Sequence, residues 1–304
     1  MKLAIIKNRK ISYALSVCLI LVSILSLIAW GLKPGLDFTG GSLMELRFDG
    51  ARPEITSMSD TFKKLDLGEV LVQPAGDNNM ILKFKEVSEE EHQIILAEFV
   101  KTYQTEENKV VENRFESIGP IIGKELKQKS WLAIVIASLA IIAYIAYSFR
   151  KISKPVVSWK YGISAIIALA HDVIITIGLF SLLGHFFGIE VDALFITALL
   201  TIMGFSVHDT IVVFDRTREN LGKFYSGKFE EVVNDSVNQT MTRSINTTLT
   251  TMIVLTALFL LGGASIKYFS LALLFGIFIG TYSSIFIASA LLVDWNLLDK
   301  TFKR

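Results

Sequence analysis

Six stretches of this 304-residue chain are each long and apolar enough to cross a bilayer, which restricts the fold before any motif is considered. They lie at about residues 11–30, 131–149, 161–183, 191–214, 245–261 and 267–293. A lipid interior offers no partner for backbone N–H and C=O groups, so each stretch is expected to be a helix that satisfies its own. A hydrophobic content of 52% and a mean hydropathy of +0.51 place the whole chain in the same class. The first stretch carries no charge from Ile11 to Trp30 and has no small-x-small cleavage site. It is longer than the ~7–15 residues of a signal-peptide core, and it reads as a retained anchor.

Charge placement predicts the topology, whereas the net charge of +1 says little about partners. Lys2, Lys7, Arg9 and Lys10 precede the first span, and Arg150, Lys151, Lys154 and Lys160 join the second to the third. Arg216, Arg218, Lys223, Lys228 and Arg243 mark the connection of the fourth to the fifth, and Lys300, Lys303 and Arg304 close the chain. Residues 184–190 hold no Lys or Arg, and 262–267 hold only Lys267. Positive loops stay inside, so both termini are expected in the cytoplasm and residues 31–130 outside. The chain then divides into 1–30 (cytoplasmic N-terminus and first span), an extracytoplasmic domain at 31–130, and a five-helix bundle at 131–304.

Within 31–130, Ser42–Phe48, Glu69–Val72, Met80–Phe84 and Lys109–Ile118 have strand character. Two helical stretches alternate with them, a weaker one at Ile55–Leu65 and another at Ser88–Tyr103 that opens on the capping box Ser88-x-x-Glu91. The order β-α-β-β-α-β predicts a ferredoxin-like α+β domain between the first two membrane helices. The single cysteine, Cys18, sits in the first span, so no disulfide staples this domain. Its motif Gly35-Leu36-Asp37-Phe38-Thr39-Gly40-Gly41 reads locally as a tight exit from the first helix, with Asp37, Gly40 and Gly41 as turn residues. A phosphate-cradling loop would need a Gly-Lys-Ser/Thr pair and a helix directly after it, and neither is there. Gly31 to Gly41 is the expected hinge for domain motion.

The informative residues are ionisable ones inside apolar runs. A carboxylate at bilayer depth costs several kcal/mol on most estimates, so it marks a bundle interior or a path for protons, ions or substrate. Asp209, with His208 beside it, lies six residues from Asp215 at the charged end of the fourth span. That is ~9 Å into the membrane. Asp172, next to His171, lies ~18 Å from Lys160, close to mid-bilayer. Ala165, Ala168, Asp172 and Thr176 share one small, polar face of the third span. A plain structural alternative for His171 and Asp172 is a satisfied interhelical hydrogen bond. In the fifth span Gln239, Arg243, Asn246 or Thr247, and Thr250 form a polar stripe reaching a similar depth, and Arg243 is expected to approach Asp209. The alternative there is threonine hydroxyls bonding back to their own helix. Gly276, Gly280, Ser284 and Ala288 recur every fourth residue in the sixth span, a stripe that lets another helix pack closely. Nothing in the sequence marks a cofactor, a metal site, covalent catalysis or a nucleic-acid partner.

Taken together, Gly35–Gly41, Ala170-His171-Asp172, Gly204–Asn220 and Asn238-Gln239-Thr240-x-x-Arg243-Ser244 with its Thr-rich continuation resemble the SecF family. This is the smaller membrane subunit of the SecD–SecF protein-export complex, within the resistance–nodulation–division superfamily. The resemblance implies a non-enzymatic role in the bacterial inner membrane, in a twelve-helix assembly with SecD. It further implies association with the SecYEG channel and its SecA motor, with YajC and YidC, with membrane lipid, and with the translocating polypeptide. Proton entry would promote export, through Asp209 and Arg243 on the positions of the family's membrane aspartate and arginine. His208 departs from the asparagine common there and adds a group that titrates near neutral pH.

Other classes fit less well. An intramembrane serine protease is suggested by Gly204-Phe205-Ser206, but Ser206 and His208 lie ~200° apart on one helix and the sixth span has no histidine. A proton-driven solute exporter of the same superfamily would carry a similar relay but needs twelve spans and two large outside domains. A structural scaffold with hydrogen-bonded buried acids is the third alternative.

Overall fold

The computed structural model describes residues 3–58, 67, 70–76, 78–150, 156–223 and 228–302. The chain divides into two compact units, one made of Met1–Lys33 with Leu132–Arg304 and the other of Pro34–Trp131.

In the first unit the helices are α1 (Arg9–Trp30), the membrane part of α4 (Pro120–Ser148), α5 (Ser158–Phe187), α6 (Ala193–Lys223) and α7 (Phe229–Leu261). The last crossing is α8 (Ala264–Ser283), a π-helical segment at Ser284–Ala288, and α9 (Ser289–Phe302). Among the described residues, six helices are therefore long and apolar enough to span a membrane. Several extend past the apolar stretches, because a helix continues through polar residues wherever nothing breaks its ladder. Thus α4 begins at Pro120, whose missing N–H costs nothing in a first turn, and the fifth crossing begins at Phe229 rather than 245.

Burial sorts the helices. The most apolar windows of α5 and α6 are half buried and that of the last crossing 67% buried, against 17% for α1 and α7 and 6% for α4. The interior is therefore α5, α6 and α8–α9, with α1, α4 and α7 outside. Glycine and serine allow the close approaches. A Cβ on Gly178 of α5 would stand 2.2 Å from the Cβ of Ser23 on α1, and one on Gly276 of α8 would stand 2.2 Å from Ile202 Cδ1 on α6. Ser26 Oγ donates to Ser181 Oγ (2.8 Å), which donates to the Gly31 carbonyl (2.6 Å), tying the end of α1 to α5.

The second unit holds a short helical turn α2 (Leu36–Thr39), strands β1 (Gly41–Phe48), β2 (Leu71–Ala75), β3 (Asn79–Phe84) and β4 (Val110–Ile118), helix α3 (Glu89–Tyr103), and the first turns of α4. The sheet order is β2-β3-β1-β4, all pairs antiparallel. Residues 55–58 are helical, and the rest of the helix expected to Leu65 lies outside the described residues. Met44, Leu46, Phe48, Met80, Leu82 and Phe84 alternate onto one sheet face and pack with Ile95 and Phe99 of α3. The capping box forms at α3, where Glu91 N–H donates to Ser88 Oγ (3.3 Å) and Ser88 N–H to Glu91 Oε2 (2.8 Å).

The Gly35–Gly41 motif is a helical turn followed by two glycines at φ +73° and +120°. A Cβ on Gly41 would meet the Phe84 carbonyl oxygen at 2.8 Å, and one on Gly40 would meet Pro120 and Ile118 O at 3.0 and 3.1 Å. These glycines fasten the start of β1 to the ends of β3 and β4. Gly31, at φ +66°, has nothing within 4 Å of such a Cβ.

Candidate intramembrane site

Among the described residues, two aspartates of the membrane unit, Asp172 and Asp209, are buried, and both are held by hydroxyl groups from neighbouring helices. Asp172, fully buried on α5, accepts from Ser206 Oγ of α6 (2.5 Å) and Ser283 Oγ of α8 (2.8 Å), both on Oδ2. Its Oδ1 lies 2.8 Å from His171 Nδ1. The other ring nitrogen, His171 Nε2, is 3.0 Å from Ser16 Oγ on α1. Asp209, 4% exposed on α6, accepts from Ser244 Oγ of α7 (3.2 Å) and Thr281 Oγ1 of α8 (3.1 Å).

Helix geometry places these groups together. Ser206, Asp209 and Thr210 occupy successive turns of one α6 face, so Ser206 addresses Asp172 while Asp209 reaches the next layer. Across from them, Thr210 Oγ1 is 2.8 Å from Ser284 Oγ, which is within 3.2 Å of the Ser206 carbonyl. Thr248 of α7 shares a hydrogen bond with Thr281 (2.6 Å). Thr281, Ser283 and Ser284 sit where α8 widens into its π turn, a departure from α geometry that recurs at functional sites. Gly280 makes room, since a Cβ there would lie 3.0 Å from Ser206 Cβ. The Gly276, Gly280 and Ser284 stripe thus faces α6 of this same chain, and Ala288 is fully buried below it.

Arg243 requires a correction. Its side chain is exposed and forms no ion pair with Asp209 among the described residues, and the α7 group that reaches Asp209 is its neighbour Ser244. Adjacent helix positions differ by ~100°, so the face of α7 that meets Asp209 carries Ser244 and not Arg243. Asn246, Thr247 and Thr250 are exposed with Arg243, and Gln239 accepts from Arg216 Nε (2.6 Å) and Asn220 Nδ2 (3.0 Å). Thr247 and Thr250 bond their own helix carbonyls. His208 is exposed on α6 rather than turned into the hydroxyl cluster. Ser206 donates to the Asp172 carboxylate rather than to a histidine, so the Ser–His pair of a serine protease is not formed among the described residues.

Sequence reading missed Ser16, Ser206, Ser244, Thr281, Tyr282 and Ser283. Hydroxyls in membrane helices commonly bond their own backbone, as Thr197, Thr201 and Thr217 do here, and composition does not separate the two cases. Chemically the site suits proton exchange. A hydroxyl can donate to a carboxylate or accept from a carboxylic acid, so both protonation states of either aspartate stay hydrogen-bonded.

Comparison with known proteins points in one direction. The family profile described as "Protein export membrane protein SecD/SecF, C-terminal" matches residues 98–297, and the "SecD/SecF GG Motif" matches residues 26–51, which include Gly40 and Gly41. The chain is 42% identical to protein translocase subunit SecF of Thermobaculum terrenum over 99% of its own length and 96% of that protein. It is 39% identical to the same subunit of Anaerolinea thermophila, covering 97% and 94%. Among solved structures, SecDF from Thermus thermophilus, titled a translocon-associated membrane protein, matches with a TM-score of 0.82 at 32% identity over 97% of this chain. A SecDF structure titled super-membrane-facing form matches with a TM-score of 0.70 at 32% identity. The chain spans 39% of the first SecDF chain and 40% of the second.

Proposed function

The chain belongs to the SecF family of protein translocase subunits, and from that premise we propose that it works with SecD to couple proton entry to protein export by the Sec translocase, without covalent chemistry. The observation that carries this reading is the pair of buried carboxylates, Asp209 and Asp172, each held by hydroxyls from other spans with no Lys or Arg on either among the described residues. A fixed cation would hold one protonation state, whereas hydroxyls accompany both.

The partner's place follows from exposed polarity. Arg243 and Asn246 on α7, with His208 on α6, are exposed at depths where lipid would leave them unsolvated, whereas Thr197, Thr201 and Thr250 on the same helices bond their own helix carbonyls. Covering this face is the role assigned to SecD, and Arg243 and His208 then serve the proton path from the junction of the two subunits. The Lys- and Arg-rich ends of the spans support the reading that both termini face the cytoplasm from a bacterial inner membrane. The Pro34–Trp131 unit then lies outside, and its strand order β2-β3-β1-β4 fits a ferredoxin-like plan. SecYEG with SecA, YajC and YidC are the further partners this membership suggests. One proton crossing 100 mV carries about 2.3 kcal/mol, enough to shift a two-state equilibrium more than tenfold.

The test of this interface pairs cysteines at Thr201 and Asn246 with cysteines on SecD spans. Crosslinks that form in functional complexes and vary with the proton gradient support the reading. Absence of crosslinks in complexes that still export would refute the assigned face.

A further inference from the structure

From His171 a line of hydroxyl groups leads out of the buried site along α1, toward the end where Arg9 also pairs with Glu230 of α7. Ser16 Oγ, 3.0 Å from His171 Nε2, is also 3.3 Å from the hydroxyl of Tyr282 on α8. Tyr282 donates in turn to the Ser12 carbonyl at 3.0 Å. Ser16 is buried, Tyr282 half-buried, and Ser12 partly exposed one turn from Arg9, the charged start of α1. The line therefore begins at a fully buried carboxyl and ends at the partly exposed Ser12, one turn from the charged start of α1. Its neighbours are Ser206 of α6 and Ser283 of α8 on Asp172, Thr176 of α5 bonding its own helix, and beyond its outer end Tyr13, whose hydroxyl donates to Asp294, itself paired with Arg9.

We infer that Asp172, His171, Ser16 and Tyr282 form a proton relay that opens between α1 and α8 at the Lys- and Arg-rich end of the bundle. The inference rests on the proton-coupling reading above and adds to it an exit that does not pass through the α6–α7 face. The bookkeeping closes with one proton. With Asp172 protonated, its O–H donates to His171 Nδ1, His171 Nε2–H to Ser16 Oγ, Ser16 O–H to Tyr282 Oη, and Tyr282 O–H to the Ser12 carbonyl. Transfer moves the carboxyl proton to Nδ1, the Nε2 proton to Ser16, the Ser16 proton to Tyr282, and the Tyr282 proton to water at Ser12. Asp172 is left as a carboxylate that keeps its Ser206 and Ser283 donors and gains the Nδ1–H. No oxidant, cofactor or second proton is required. Rotation of the two hydroxyls and a flip of the imidazole ring, which carries its N–H back to the Ser16 side, reset the line for the next proton.

The experiment uses the chain co-reconstituted with SecD in liposomes, with proton flux read by a pH-sensitive dye in the lumen. Tyr282→Phe keeps the ring that stacks on Phe286 and removes only the hydroxyl. Ser16→Val and Ser16→Thr have the same shape and differ by a hydroxyl, which separates relay loss from misfolding. Flux should fall more than about tenfold in Tyr282→Phe and Ser16→Val and be retained in Ser16→Thr, within what a positioned proton-transfer group supplies. Flux within about twofold of the unsubstituted complex in both Tyr282→Phe and Ser16→Val overturns the relay. Equal loss in Ser16→Val and Ser16→Thr overturns it as well. Asp209→Asn in the same liposomes distinguishes the two readings. If it abolishes flux while Tyr282→Phe does not, the proposed function stands and the relay fails. If it leaves flux intact while Tyr282→Phe abolishes it, the relay stands and Asp209 loses its role.

Discussion

Replacing Gly178 with alanine should separate α1 from α5, and the size of the effect follows from the local geometry. The new methyl carbon would stand 2.2 Å from Ser23 Cβ, 2.4 Å from Ser23 Oγ and 2.5 Å from Ser23 Cα. Non-bonded carbons settle about 3.5–4.0 Å apart, so α1 must retreat by about 1 Å or more, and the involvement of a backbone atom rules out relief by rotation of a side chain. That retreat stretches Ser26–Ser181 (2.8 Å), Ser181–Gly31 (2.6 Å) and Ser16–His171 (3.0 Å) beyond useful length. Overpacking costs about 1–3 kcal/mol and each intramembrane hydrogen bond averages about 0.6, giving a loss of about 3–5 kcal/mol. The assay is equilibrium unfolding in mixed micelles followed by tryptophan fluorescence. Adding Ser23→Gly should recover only part of the loss, because it removes Cβ and Oγ but leaves Cα at 2.5 Å. Gly276→Ala, which meets only the side chain of Ile202, should cost less. A loss below about 1 kcal/mol in Gly178→Ala, or full recovery in the double variant, would refute the packing argument.

Two further predictions concern the Pro34–Trp131 unit. Donation from Ser88 N–H and Oγ contact hold the Glu91 carboxyl below the ordinary carboxylate range, and Gln93, then His92, do the same for Glu89. A depressed carboxyl contributes stability above the ordinary range near ~4.3 and loses it as pH falls below that range, so protection factors in α3, corrected for the intrinsic pH dependence of amide exchange, should be steady near neutrality and fall in acid. Glu91→Gln should flatten that acid response, and an unchanged profile would count against it. Gly41→Ala places a Cβ 2.8 Å from the Phe84 carbonyl oxygen at φ +120° and should loosen the β1–β3 pairing, seen as faster exchange in both strands. Gly31→Ala meets only its own backbone preference and should leave the sheet unchanged.

What the sequence revealed depended on the scale of the signal. Six long apolar runs with charged ends made the crossings readable, and Asp172 and Asp209 stood out because a carboxylate is costly in an apolar run unless protein or water surrounds it. The start of α4 did not show, since hydropathy detects the membrane part of a helix and is silent on the polar turns from Pro120 that precede it. Residue counts along a helix do not resolve azimuth, so the polar stripe did not separate Arg243 from its neighbour Ser244, the group that reaches Asp209. The hydroxyl partners carried no separate signal. Ser206 and Thr197 look alike in sequence, yet one donates to Asp172 and the other to its own helix. The roles of Gly40 and Gly41 needed the tertiary contact with Phe84 and Pro120, because local physics alone describes them only as turn residues.

The central claim is that export draws on proton movement through Asp209. It is tested most directly by following proton flux and preprotein translocation together in vesicles holding the chain with SecD and the Sec channel, with and without a proton gradient. The unsubstituted complex should show gradient-stimulated translocation accompanied by flux, and Asp209→Asn should assemble normally yet lose both the stimulation and the flux. Gradient-stimulated translocation that persists undiminished in fully assembled Asp209→Asn complexes would contradict the account.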